Sequence, residues 1–151
     1  MKIVFQIILL FTILFATGNY LNAKEYRGIA PFRSTRADVV RLLGAPPDEN
    51  EFRAKYESEK ELIYIVYASG LDSNYHECAK QLPPDMVVLI NVALKTKVTL
   101  PDLKLDEQDF KRIDQSYFRI EILANEADGI FLRRNYEGEI DSLKYTAADT
   151  D

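Results

Sequence analysis

Two stretches of this 151-residue chain, Leu62 to Ala68 and Met86 to Leu94, are apolar at almost every position and rich in β-branched and aromatic residues. A strand with apolar side chains on both faces needs cover on both, so these runs predict two central strands of a layered sheet. The other strands read as one-sided. Phe52, Ala54 and Tyr56 alternate with the charges of Glu51 to Glu57, and Ser58 to Lys60 turns this strand into a hairpin with Leu62 to Ala68. Tyr117 to Leu123 sets Phe118, Ile120 and Ile122 against Arg119 and Glu121, and Asn125 to Gly129 forms the next turn. Ile130 to Tyr136 and Glu139 to Tyr145 pair around a two-residue Glu137-Gly138 hairpin, with a bulge at Asp141-Ser142 to reconcile the three-residue spacing of Ile140 and Leu143. Val98 to Leu105, with Pro101 inside it, reads as an extended or edge segment. Asp106 to Ile113 reads as a helical turn that tucks Phe110 and Ile113 inward.

One helix is written with both of its ends. Thr35 and Asp38 stand in the spacing of a capping box, and Val39, Leu42 and Leu43 make an apolar stripe at i, i+3 and i+4. Gly44 supplies a left-handed terminator, and Pro46-Pro47 blocks continuation. The predicted class is therefore α+β, one short N-terminal helix packed on an antiparallel sheet of about six strands. One helix covers little of such a sheet. The rest must be covered by the Ser69 to Asp85 loop, by the 106–113 turn or by a partner.

Ahead of the helix, Met1-Lys2 followed by the apolar run Ile3 to Ala16 has the pattern of a secretory signal peptide. The expected cut follows Ala23, with a cut after Gly18 as the competitor. The run is shorter than the roughly 20 residues of a spanning helix. No stable membrane span is expected after cleavage, and no cysteine near the cut offers a lipid anchor. The expected layout is residues 1–23 signal peptide, 24–145 a single domain and 146–151 a disordered acidic tail. Without its first 23 residues the chain has 128, with 18 basic against 24 acidic residues and a net charge of −6. Such a balance repels phosphate backbones, so nucleic acid is not an expected partner. The expected location is periplasmic or extracellular.

Cys78 is the single cysteine, so no internal disulfide can form. His76-Glu77-Cys78, with Asp72 upstream, is the most reactive-looking cluster, and it lies in the long Ser69 to Asp85 loop. A thiol–imidazole pair needs the two side chains to meet, which an extended i, i+2 relation does not give without a bend. As metal ligands, His76 and Cys78 supply two donors and would have to borrow carboxylates. A structural loop is the simpler account. Phosphate-binding glycine loops, H-E-x-x-H, G-x-S-x-G and EF-hand spacings are absent, and no cofactor is implied. Tyrosines are the other conspicuous residues. Strand packing explains most of the nine, while Tyr64, Tyr67, Tyr75 and Tyr136 are candidates for a partner-binding surface.

The helix with its T-x-x-D-V-x-x-L-L-G-x-P pattern, formed by Thr35, Asp38, Val39, Leu42, Leu43, Gly44 and Pro46, is followed by strands and a distinctive ending. Together with Ile130, Leu132, Gly138, Ile140, Ser142, Leu143 and Tyr145, it resembles the small outer-membrane assembly lipoprotein family (SmpA/OmlA, BamE-like) and the related β-lactamase-inhibitor-protein fold. The opening YRGIAPFRSTRADVVRLLG is also similar to small exported bacterial proteins of unknown function. The resemblance implies helices on one face of an antiparallel sheet and an envelope role. The lipidated cysteine of the assembly lipoproteins is missing here, as is a second helix before the sheet. The function expected is an exported, non-enzymatic, protein-binding or envelope-associated domain. The alternatives are a small thiol-dependent or hydrolytic enzyme using His76 and Cys78, or an inhibitor of a secreted enzyme.

Overall fold

The computed structural model describes residues 23–70, 82–115 and 120–148. It is mostly β: eight antiparallel strands form one sheet in the order β1-β2-β3-β4-β8-β7-β6-β5. The strands are β1 (Asp48–Glu49), β2 (Arg53–Glu57), β3 (Glu61–Tyr67), β4 (Val87–Val98), β5 (Lys111–Gln115), β6 (Ile120–Asn125), β7 (Ile130–Asn135) and β8 (Ile140–Tyr145). Two four-strand meanders thus meet where β4 pairs with β8. The expected α+β domain, a helix packed on about six strands, is not what forms. Asp48-Glu49 pairs with Lys55 and Ala54 instead of turning freely, and the expected helical turn at 106–113 ends in strand β5, paired with β6. Both extra strands lie at the sheet's edges, where a polar run such as Asp48-Glu49 carries no apolar alternation to betray it.

The helix, α1 (Arg36–Leu43), has the predicted start. Thr35 Oγ1 accepts from the Asp38 N–H at 3.4 Å and Asp38 Oδ2 accepts from the Thr35 N–H at 3.0 Å, closing the capping box. Gly44 ends it at φ +85°, ψ −178°, a region open essentially only to glycine and outside the left-handed helical well. Its expected stripe is only partly used. Val39 is fully buried and Leu43 leans on the core, while Leu42 is exposed. The helix therefore adds little cover.

Register fixes which face is inside. Ala54 and Tyr56, Ile63, Ile65 and Tyr67, Ile90 and Val92, Leu143 and Tyr145, and Ile130 and Leu132 stand opposite one another along successive strands and make the core face. Cover comes from non-sheet segments: Tyr26 and Ile29 ahead of the helix, Val39 and Leu43, and Leu100, Leu103, Leu105 and Phe110 after β4. The segment ahead of the helix is tied down at its start, where the Lys24 N–H donates to the Asp128 carbonyl at 2.9 Å. Its Tyr26 hydroxyl donates to the buried Glu61 carboxylate at 2.5 Å, and Arg27 pairs with the same carboxylate. Thr146 to Ala148, read as the start of the tail, are anchored instead. The Thr146 N–H donates to the Gly129 carbonyl and Ala148 is buried.

The turns follow their sequence cues with one change. Ser58 to Lys60 closes β2 to β3, and Asp141 is the bulged residue, since Ser142 faces Arg133 and Ile140 faces Arg134. The β7–β8 turn spans four residues, 136–139, because Asn135 accepts from both the Glu137 and Glu139 N–H groups through its side chain.

Candidate functional site

The opposite face of the sheet has no second layer from the described residues. Leu62, Tyr64 and Val66 of β3, expected to be buried as half of a two-sided strand, are only half-buried. Beside them the register lays out two rows across the sheet. Tyr64, Asn91, Lys144 and Phe131 make one, and Leu62, Ala93, Ser142, Arg133 and Ile122 the other. Side chains are large on β3 and on β7 with β6 and, Lys144 apart, small on β4 and β8 between them. The result is a trough of about 420 Å³ lined by sheet residues alone. Tyr64 forms one wall, Phe131, Arg133 and Ile122 the other, and Asn91, Ala93 and Ser142 the floor. With β4 and β8 between the walls, three strand spacings separate them, about 14 Å. A second hollow of similar volume, around Leu100 to Glu107, belongs to one loop and brings no distant residues together.

Both charged residues lining the trough, Arg133 and Lys144, are basic. The Lys144 ammonium lies 5.4 Å from the Phe131 ring centre, and the Arg53 guanidinium 5.8 Å from that of Tyr64, each in cation–π contact with a wall. Neither Lys144 nor Arg53 has a carboxylate partner among the described residues. Arg133 does: its Nε meets Asp141 Oδ1 at 2.7 Å, which holds the guanidinium still more firmly protonated. On the flank, Glu57 is engaged by Lys95 at 2.7 Å and by Lys55 at 3.6 Å, which lowers its pKa. The trough is therefore a basic, aromatic patch on a protein whose net charge is −5. It can bind by stacking, by hydrogen bonds from Asn91 and Ser142 and by attraction of anions.

Of the residues singled out from sequence, Tyr64 stands in the trough wall. Tyr67 does not serve a surface. It is fully buried, its ring lies under the Arg36 guanidinium at 3.9 Å, and burial pushes its phenol up to about 12 although Arg36 pulls the other way. Tyr136 lies half-exposed in the β7–β8 turn, away from the trough lining. Asp72, Tyr75, His76 and Cys78 lie outside the described residues, as does the apolar leader. Among the described residues no three His, Cys, Asp or Glu side chains are grouped to hold a metal ion. Sequence reasoning passed over Phe131, Ile122 and Lys144. The hairpin to β8 was legible, but the β4–β8 pairing that sets Lys144 and Phe131 across from Tyr64 joins segments about fifty residues apart and has no local signal.

The described residues form a single open antiparallel sheet, buried on one face by loops and one short helix and only half covered on the other. No family model matches the chain, and no curated protein matches it. Among solved structures it is similar to the crystal structure of a DUF4309 family protein, YjgB, from Bacillus subtilis subsp. subtilis strain 168. The TM-score is 0.50 at 14% sequence identity, over 83% of this chain and 88% of that one. At that identity the likeness is one of fold alone.

Proposed function

We propose that this chain is an exported, non-enzymatic domain that binds another protein through the open face of its sheet. The observation that carries the reading is the trough, in which Tyr64 and Phe131 stand as half-buried aromatic walls over a floor of small residues. Aromatic side chains supply large, rigid contact area and are enriched where binding energy concentrates. Export is supported by the apolar run Ile3 to Ala16 behind a single lysine.

The test is a pull-down from an envelope or culture-medium extract with wild type and with a Tyr64→Ala/Phe131→Ala variant, whose fold is checked by thermal unfolding. The two truncations are expected to weaken a specific partner about 30-fold or more, the size of a hot-spot loss near 2 kcal/mol. A partner retained equally by both proteins would exclude this face.

A further inference from the structure

We infer that the trough receives an acidic amphipathic helix of the partner, laid along β4 and β8 between the Tyr64 and Phe131 walls. The inference rests on the open face being the protein-binding surface and adds what the partner must look like.

Backbone chemistry argues for a helix. β4 and β8 lie inside the sheet, and where they form the trough floor each is bonded to a neighbour on both sides, so the floor has few free main-chain groups to offer. An extended segment lying flat on it would bury its own N–H and C=O groups unpaired, each costing about 1–3 kcal/mol. A helix bonds its backbone internally. The strands that carry the walls run roughly 14 Å apart, so the apolar ridge of a helix, whose whole width is about 10–12 Å, can enter between their side chains, and the small side chains of Ala93 and Ser142 let it approach.

Charge argues for acid. Arg133 and Lys144 line the trough, and Arg53 and Lys55 extend the basic strip along β2, next to Tyr64. The carboxylates at hand are occupied, Asp141 by Arg133 and Glu57 by Lys95 and Lys55. The ammonium of Lys144 and the guanidinium of Arg53 are left to meet carboxylates on the flanks of an incoming apolar stripe. A second copy of this chain is a poor occupant. Its α1 offers no free carboxylate, since Asp38, the one acid of that helix, is already held by Arg41 at 2.9 Å.

The full-length protein is titrated, by fluorescence anisotropy, with three labelled synthetic helices that share one leucine stripe and carry glutamate, glutamine or lysine flanks. The glutamate helix is expected to bind about tenfold more tightly than the glutamine helix, as two partly exposed ion pairs allow. Lys144→Glu with Arg53→Glu should reverse the order in favour of the lysine helix. Equal binding of all three, unchanged preference in the charge-reversed variant, or equal binding of a proline-broken glutamate peptide would each overturn the inference. A concentration-dependent dimer abolished by the same two substitutions would overturn it in favour of a second copy. If Tyr64→Ala and Phe131→Ala release a native partner that the charge reversals and added salt leave bound, the acidic helix fails while the open-face reading stands. If neither set releases it, both fail.

Discussion

Glu121 and Arg134 face each other across β6 and β7 with side chains only 6% and 12% exposed. Arg134 donates to Glu121 Oε2 through Nη2 at 2.9 Å and Nε at 3.2 Å, and reaches Glu107 at 2.7 Å, while Arg112 takes the other Glu121 oxygen at 2.9 Å. This cluster inverts β6. Its alternation predicts Ile120 and Ile122 inward and Glu121 outward, yet Glu121 and Leu123 face the core and Ile122 becomes part of the trough wall. A carboxylate withdrawn from water is tolerable only with its partners present. Replacing Arg134 with Met is therefore expected to cost about 3 kcal/mol, because Glu121 would be left with Arg112 alone. The double change Arg134→Met/Glu121→Leu should recover much of that loss. Urea unfolding of the three proteins measures both, and a neutral single variant would contradict the account. From sequence this pairing was invisible, since period-2 patterning treats every glutamate as solvent-facing.

At the level of elements, local chemistry was the legible part. The capping box of α1, the Ser58 to Lys60 hairpin and the Asp141 bulge each depend on residues within a few positions of one another. Turns also show where the fold presses on the backbone. Gly129 has φ +67°, and a Cβ there would lie 2.4 Å from the Thr146 carbonyl oxygen, whereas Gly138 has φ +83° with nothing within 4 Å. Both positions disfavour an L side chain, but only Gly129 is also blocked by the C-terminal segment whose Thr146 N–H it binds. Gly129→Ala is expected to cost roughly 3 kcal/mol and Gly138→Ala about 1. Hydrogen exchange at Thr146 should accelerate in the first variant alone; equal losses in the two would mean that the close approach does not matter. The edge strands β1 and β5 were missed for the opposite reason. They are strands only because a neighbour offers them a ladder, and their own residues carry little of the pattern.

For the whole molecule, the tyrosines give a single readout of packing. Burial pushes the phenols of Tyr67 and Tyr145 up to about 12, from a usual value near 10. The folded protein thus holds protons that the unfolded chain releases above pH about 10. The stability linked to these groups is full below that pH and is lost as pH rises towards about 12. Sheet circular dichroism and tyrosinate absorbance are expected to change together for these two residues in that window; ionisation of all described tyrosines near 10 with the sheet intact would show that they are not buried. By itself the sequence determined what depends on neighbours along the chain: the helix and its caps, six of the strands, most turns, the apolar leader and the acidic balance. The tertiary structure decided what depends on neighbours in space. It made the class mostly β by recruiting two edge strands, turned β6 over to bury Glu121, sent Tyr67 to the core, and left the far side of β3 and β4 only half covered. The physical reason is that side-chain period assigns a residue to one of two faces, while only the completed pairing, β4 to β8 above all, determines which of those faces lies under cover and which one forms a trough.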